Sequence, residues 1–271
     1  MQPFLFGPPH RRLFGAFHRP TPGAPRRRES VLVCAPFGQE AVRTHRLLRV
    51  LADRLADDGF PVLRFDPYGS GDSAGADRAL DLLGWQSDIK AAHAQLMQRS
   101  PADHWAVWIA SRLAAAPAVR ASRVAPGVRL VLLEPVVDGP AHLGELRERH
   151  AQALEASFDV LDPRWTAALR RTELREVGEA MGFELSPLLR EQLLALSPDT
   201  LAVPAACEVT VLAPAADRTV AAWTRQQRAL GAGIALRSME HDFDWSSEEA
   251  INTALVPAGL LQRLIDEVRL A

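Results

Sequence analysis

The chain has 271 residues, enough for one large α/β domain or two small ones, and 48% are hydrophobic, which supports a sizeable core and excludes a disordered chain. A formal net charge of −2 offers no electrostatic footprint for nucleic acid. Two cysteines, Cys34 and Cys207, make neither a disulfide framework nor a metal cage; no apolar run reaches the roughly 20 residues of a membrane span, the N-terminus lacks a signal core, and the expected location is cytoplasmic.

In chain order, residues 1–30 are rich in Pro, Gly, Arg and Phe. Phe4–Phe6 and Leu13–Phe17, separated by Gly7-Pro8-Pro9, predict a short edge hairpin. Arg26-Arg27-Arg28, the densest basic run, reads as a solvated turn. The apolar run Val31–Cys34 breaks at Pro36-Phe37-Gly38. From Gln39 to Asp58 the residues Val42, Leu47, Leu48, Leu51 and Leu55 recur at near-helical spacing, with Gly59 at the C-cap. A second apolar run, Val62–Phe65, ends in Asp66-Pro67-Tyr68-Gly69-Ser70-Gly71-Asp72-Ser73. Strand, turn, helix, strand and glycine turn make the opening βαβ unit of a parallel sheet. Such sheets carry their chemistry on loops at the carboxyl ends of the strands.

Trp85–Met97 predicts a helix that buries Trp85, Ile89, Ala92 and Leu96. Trp105–Ile109 reads as a strand, Ser111–Val119 as a helix that Pro117 disturbs, and Val128–Leu133 as a buried strand. Residues 140–200 are rich in Leu, Ala, Glu and Arg and read as helical throughout, a cap over the active face of a single domain spanning 1–271. The sheet resumes at Glu208–Leu212, followed by a helix over Ala221–Leu230, a strand over Ile234–Ser238 and a last helix over Val256–Val268. The hydroxyls of Ser70 and Ser73 are expected to bond their own turn. Trp85, Trp105, Trp108 and Trp245 read as core packing.

With these residues in place the chain resembles the α/β-hydrolase superfamily. The resemblance implies a mostly parallel central sheet with helices on both faces and a small helical cap. Pro36-Phe37-Gly38 stands where that fold has its His-Gly loop, which implies that Phe37 and Gly38 belong to the oxyanion loop. Asp66–Ser73 is similar to the D-x-R-G-x-G-x-S turn. Leu212–Val220 is similar to the strand end that carries the triad acid, here Asp217. His241 follows where the triad base is expected, and acid before histidine matches the hydrolase order.

A closer resemblance is to the exosortase A system-associated hydrolases, second subfamily, small hydrolase-like proteins encoded among bacterial exopolysaccharide and protein-sorting genes. It is carried by Pro36-Phe-Gly-Gln-Glu40 with Arg46, by Leu133–Gly139, by Gly182–Pro187 and by Phe243-Asp-Trp245, and spans about Phe4 to Leu264. It implies hydrolysis or transfer of a carboxylic ester or acyl group, no cofactor and no metal, and association with polysaccharide-biosynthesis or sorting proteins. Glu40 and Arg46 are expected to form a local ion pair on the first helix.

The elbow departs from the hydrolase pattern. G-x-S-x-G needs small flanking residues so that a strained strand-to-helix turn lifts the nucleophile off the sheet. In Trp108-Ile-Ala110-Ser111-Arg112-Leu113-Ala114, the small residues Ala110 and Ala114 put Arg112 at the nucleophile position, and the subfamily likewise tends to show arginine there. Centring on Ser111 instead puts Ile109 and Leu113 where small residues are required. A guanidinium cannot accept an acyl group, because it stays protonated.

Two functions stay open. One is an enzyme with His241 as base, Asp217 orienting it and amides near Phe37 as oxyanion donors; Ser111 rotates into the nucleophile role, or His241 activates water. The other is a catalytically inactive binding or accessory protein of the same pathway. In it Arg112 fills or reads the old pocket, paired to a bound anion or to Asp217 or Glu134.

Overall fold

The N-terminal segment folds back on itself in a computed structural model that describes residues 1–101, 103–125, 127–156, 163–241, 245 and 256–270. Strand β1 (Gln2–Phe6) pairs antiparallel with β2 (Leu13–His18), the expected edge hairpin. The chain then alternates through β3 (Glu29–Cys34), α1 (Gly38–Asp57), β4 (Val62–Phe65), α2 (Leu82–Arg99), β5 (Trp105–Ser111), α3 (Ala115–Ser122) and β6 (Arg129–Leu133). An insert follows: α4 (Gly139–Ala156), α5 (Pro163–Arg171), the two short strands β7 (Glu179–Ala180) and β8 (Phe183–Glu184), and α6 (Pro187–Leu194). Strand β9 (Glu208–Ala213), α7 (Arg218–Ala229), β10 (Gly233–Ser238) and α8 (Ala258–Arg269) complete the described elements.

Eight strands form one sheet in the order β1-β2-β4-β3-β5-β6-β9-β10, and every neighbouring pair from β4 to β10 is parallel. Alternate strand residues face opposite sides, and both sides are covered, which is why the strands read as unbroken apolar runs. On one side Val31, Val33, Ile109, Val131 and Leu133 pack against Leu47, Leu51 and Leu55 of α1 and Leu260 and Leu264 of α8. On the other, Leu32, Trp108, Leu130 and Leu132 meet Trp85 and Ile89 of α2, Val119 of α3 and Trp223 of α7.

Local chemistry explains the boundaries. The Asp81 side chain caps α2 by accepting the N–H groups of Leu83 and Gly84, both at 3.0 Å. Pro117 does not disturb α3: it is the third residue of that helix, where an N–H has no intrahelical acceptor to lose. The insert is not helical throughout, because Met181 and Gly182 both take positive φ (50° and 88°) and turn β7 back onto β8. Val42, counted among the core positions of α1, is exposed.

Register brings the functional loops together. Cys34 pairs with Ala110, Ser111 with Leu133, and Leu133 with Leu212, so the carboxyl ends of β3, β5, β6 and β9 finish in line. Residues 35–38, Arg112, Glu134 and the segment leading to Asp217 therefore leave the sheet along one edge. Among the described residues no helix is long and apolar enough to cross a membrane.

Candidate functional site

Arg112 is the first residue beyond β5 and takes φ +52°, a conformation that costs a non-glycine residue about 1–2 kcal/mol. A short 3-10 turn, Arg112–Ala114, carries the chain from there into α3. Leu113 and Ala114 are fully buried beneath it, and the Arg112 carbonyl accepts the N–H of Val136 at 3.2 Å. The turn therefore aims the guanidinium off the sheet edge.

Carboxylates surround that guanidinium. Its Nε donates to Glu40 Oε1 at 3.0 Å, its Nη2 to Glu145 Oε2 at 3.2 Å, and its Nη1 lies 4.0 Å from Glu134 Oε2. Arg149 donates to the same Glu40 oxygen at 3.2 Å. The Trp245 ring centroid is 5.7 Å from Arg112 Cζ, a cation–π approach. Burial works against the charge on Arg112, but Glu40, Glu145 and Glu134 together outweigh it and its pKa rises. Glu40 is the third residue of α1, where the helix dipole favours a carboxylate. It pairs with Arg112 and Arg149 and not with Arg46, since six residues along a helix place two side chains on different faces. His142, Arg112 and Arg149 hold the Glu145 carboxyl well below the usual range against its partial desolvation; His142 Nδ1 lies 3.7 Å from it, an electrostatic contact without a hydrogen bond.

Ser111 is the last residue of β5 and fully buried, and its Oγ has no hydrogen-bond partner. Asp217 is the N-cap of α7, where its Oδ1 accepts the Val220 N–H at 2.9 Å; no hydrogen bond joins it to His241. His241 Nε2 instead meets Glu134 Oε1, while Trp245 Nε1 donates to Glu134 Oε2 at 2.9 Å. Glu134 leaves β6 at φ +43° and is anchored by its own N–H to the Leu212 carbonyl at 2.8 Å. The expected Asp217–His241 pairing is thus replaced by Glu134–His241, since the carboxyl ends of β6 and β9 are adjacent and Asp217 is engaged by its own helix. Of the Phe243-Asp-Trp245 signature, Phe243 and Asp244 lie outside the described residues.

Phe37 precedes α1 and is buried, and Gly38 takes φ +61°. Phe183 of the insert covers both: its ring lies 6.2 Å from that of Phe37, and a Cβ on Gly38 would sit 3.4 Å from it. Two cavities adjoin these site residues. The one at the elbow, shared by Arg112, Val137, His142, Glu145 and Asp217, holds about 100 Å³, room for a few waters only. The other, beside Gly38, His45, Asp66, Ser70 and Phe183, holds about 430 Å³, within the range of small-molecule pockets. There the Asp66 carboxyl is pushed up by burial, opposed by the Asp72 N–H that it accepts at 3.0 Å.

No protein-family model matches the sequence, and a search among curated proteins finds no significant relative. Solved structures do match along almost the whole chain. A carboxyl esterase from Bacillus coagulans superposes with a TM-score of 0.65 at 12% identity, over 99% of this chain and 97% of that one. Est1E of Butyrivibrio proteoclasticus, solved with ferulic acid, gives 0.61 at 13% identity over 98% and 99%. An α/β serine hydrolase without a lid from Xanthomonas campestris gives 0.57 at 18% identity over 99% and 93%. The fold is the α/β-hydrolase fold. At these identities the likeness is one of fold.

Within the α/β-hydrolase fold, spacing of small residues in the sequence pointed to Arg112, and the histidine by its order after β10. Glu134, Glu145 and Arg149 carried weaker signals. A glutamate directly after a buried parallel strand marks Glu134 as a site candidate, whereas Glu145 and Arg149 look like any charged residues of an insert helix. Among the described residues no group of three or more His, Cys, Asp or Glu side chains is placed to hold a metal ion.

Proposed function

We propose that this α/β-hydrolase-fold chain is a non-catalytic binding or accessory protein of bacterial exopolysaccharide and exosortase systems, with Arg112 at the nucleophile position. One observation carries the reading: the residue that leaves β5 with φ +52° is an arginine whose guanidinium is spent on Glu40 and Glu145. Serine acyl transfer needs a hydroxyl at that point with an imidazole beside it. The Ser111 hydroxyl, one residue earlier, is sealed in the strand. The insert over residues 140–200 acts as the cap, and the cavity beside Gly38 is the seat for a ligand, since the space at the elbow is too small. The residues resembling the exosortase A system-associated hydrolases support the pathway. A fluorophosphonate probe is expected to leave the protein unlabelled; an adduct on Ser111 that Ser111→Ala abolishes overturns the reading.

A second reading rests on the Glu134–His241 contact. A carboxylate that orients an imidazole makes the contact of a general-base pair. In this reading His241 takes a proton from water as the hydroxide adds to an ester carbonyl, and returns it to the departing alkoxide. It requires turnover of p-nitrophenyl butyrate that survives Ser111→Ala and is lost in both His241→Ala and Glu134→Gln. Turnover unaffected by the latter two variants removes it.

A further inference from the structure

At the opposite end of the sheet from Arg112, the amino ends of β3, β4 and β5 border a cavity of about 690 Å³. Arg19, Arg26, Arg27, Arg99 and His104 line it, and among the described residues no carboxylate does. In a chain with a formal net charge of −2, that concentration of positive charge is local.

Neutral groups hold most of these guanidiniums in place. Arg27 donates to the Asp58 carbonyl at 3.1 Å and stacks 5.0 Å from the Phe60 ring centroid. Arg99 lies 3.8 Å over the Phe4 ring and donates to Gln95 Oε1 at 2.7 Å. Arg19 donates to Gln2 Oε1 at 3.1 Å. Among the described residues Arg26 alone of the four has a carboxylate partner, Asp103 at 3.6 Å, and both side chains are exposed. Three cations are therefore oriented without being neutralised, the preorganised state that favours an anion. His104 is bonded to Ser30 at 2.9 Å, and burial lowers its pKa, so its ring adds a polar wall more than a charge.

The segment that carries Arg19, Arg26 and Arg27 is tied to the last turn of α1. The Thr21 N–H donates to the Ala56 carbonyl at 2.9 Å and its hydroxyl to Asp57 at 2.7 Å. Gly59, at φ +97°, lets the Pro25 carbonyl approach to where a Cβ would stand 2.0 Å away. Phe17, Pro25, Pro61 and Pro101 supply an apolar floor.

We propose that this cavity binds a phosphate ester of two or more negative charges, its phosphoryl group held by the arginine forks and its organic body against the proline floor. Several guanidiniums match a phosphoryl group, which accepts from more than one planar fork at once. The site lies at the other edge of the sheet from Arg112 and does not depend on the function proposed above.

The test is calorimetric titration at constant ionic strength with phenyl phosphate, inorganic phosphate and pyrophosphate, and co-sedimentation with phosphatidic acid or pure phosphatidylcholine vesicles. Phenyl phosphate is expected to bind more tightly than inorganic phosphate. Arg26 is 79% exposed, so Arg26→Glu leaves the core untouched and is expected to weaken binding at least about tenfold, as is Arg27→Ala, while the exposed Arg78→Ala leaves it unchanged. Binding of the soluble phosphates alone supports the site with a soluble metabolite. Additional sedimentation with phosphatidic acid vesicles, lost in Arg26→Glu, supports it with a lipid headgroup. No heat from any phosphate, or equal losses in Arg26→Glu and Arg78→Ala, overturns the proposal.

Discussion

At the residue scale Arg112 is decisive: its position was legible in the sequence and its partners were not. Ala110 and Ala114 mark the elbow in sequence, but Glu145 reaches it from 33 residues away, on an insert helix whose composition singles out no residue. Glu40 is close to fully buried and Arg112 nearly so. Removing Arg112 leaves the buried Glu40 with Arg149 as its remaining partner, so Arg112→Ala is expected to lower unfolding stability by about 2 kcal/mol in a denaturant titration. Glu145 is half exposed, and Glu145→Gln is expected to lose less than about 1 kcal/mol. Its folded-state pKa is depressed. Its small contribution is therefore complete above the ordinary carboxylate value of about 4.3 and is lost as the pH falls below it. Ser111→Ala removes a buried hydroxyl that bonds nothing, so stability is expected to stay within about 1 kcal/mol of wild type.

At the element scale, Asp217 distinguishes a helix cap from a triad acid. As the N-cap of α7 it is replaceable by asparagine, which also caps well. Asp217→Ala is expected to cost about 1 kcal/mol by thermal or denaturant unfolding and Asp217→Asn a few tenths at most. A large functional loss in Asp217→Asn at unchanged stability contradicts the cap assignment. Both strand-to-helix units on either side of the elbow were readable from periodicity. Pro117 was misread because its place in the first turn depends on where the 3-10 segment stops, which no local pattern announces. The β7–β8 turn was missed for a related reason: Met181 takes positive φ beside Gly182 and its N–H donates to His150, 31 residues earlier, a contact no local pattern announces.

At the scale of the whole molecule, Cys34 lies within β3 and Cys207 directly before β9, and both thiols are buried. Burial raises the pKa of Cys34 and of Cys207. Neither is expected to react with a neutral disulfide reagent in the native state, and both are expected to react on unfolding. The layers follow from local patterns, whereas the strand order is a property of the folded chain. The closed network at the elbow follows from contacts between the sheet edge and the insert, which only the folded chain brings together. That network is tested most directly by a double-mutant cycle in which Arg112→Met, Glu40→Gln and the double variant are compared by global unfolding. A coupling on the order of 2 kcal/mol is expected if the guanidinium is locked to Glu40 across the elbow. Additive losses, with a coupling near zero, contradict it.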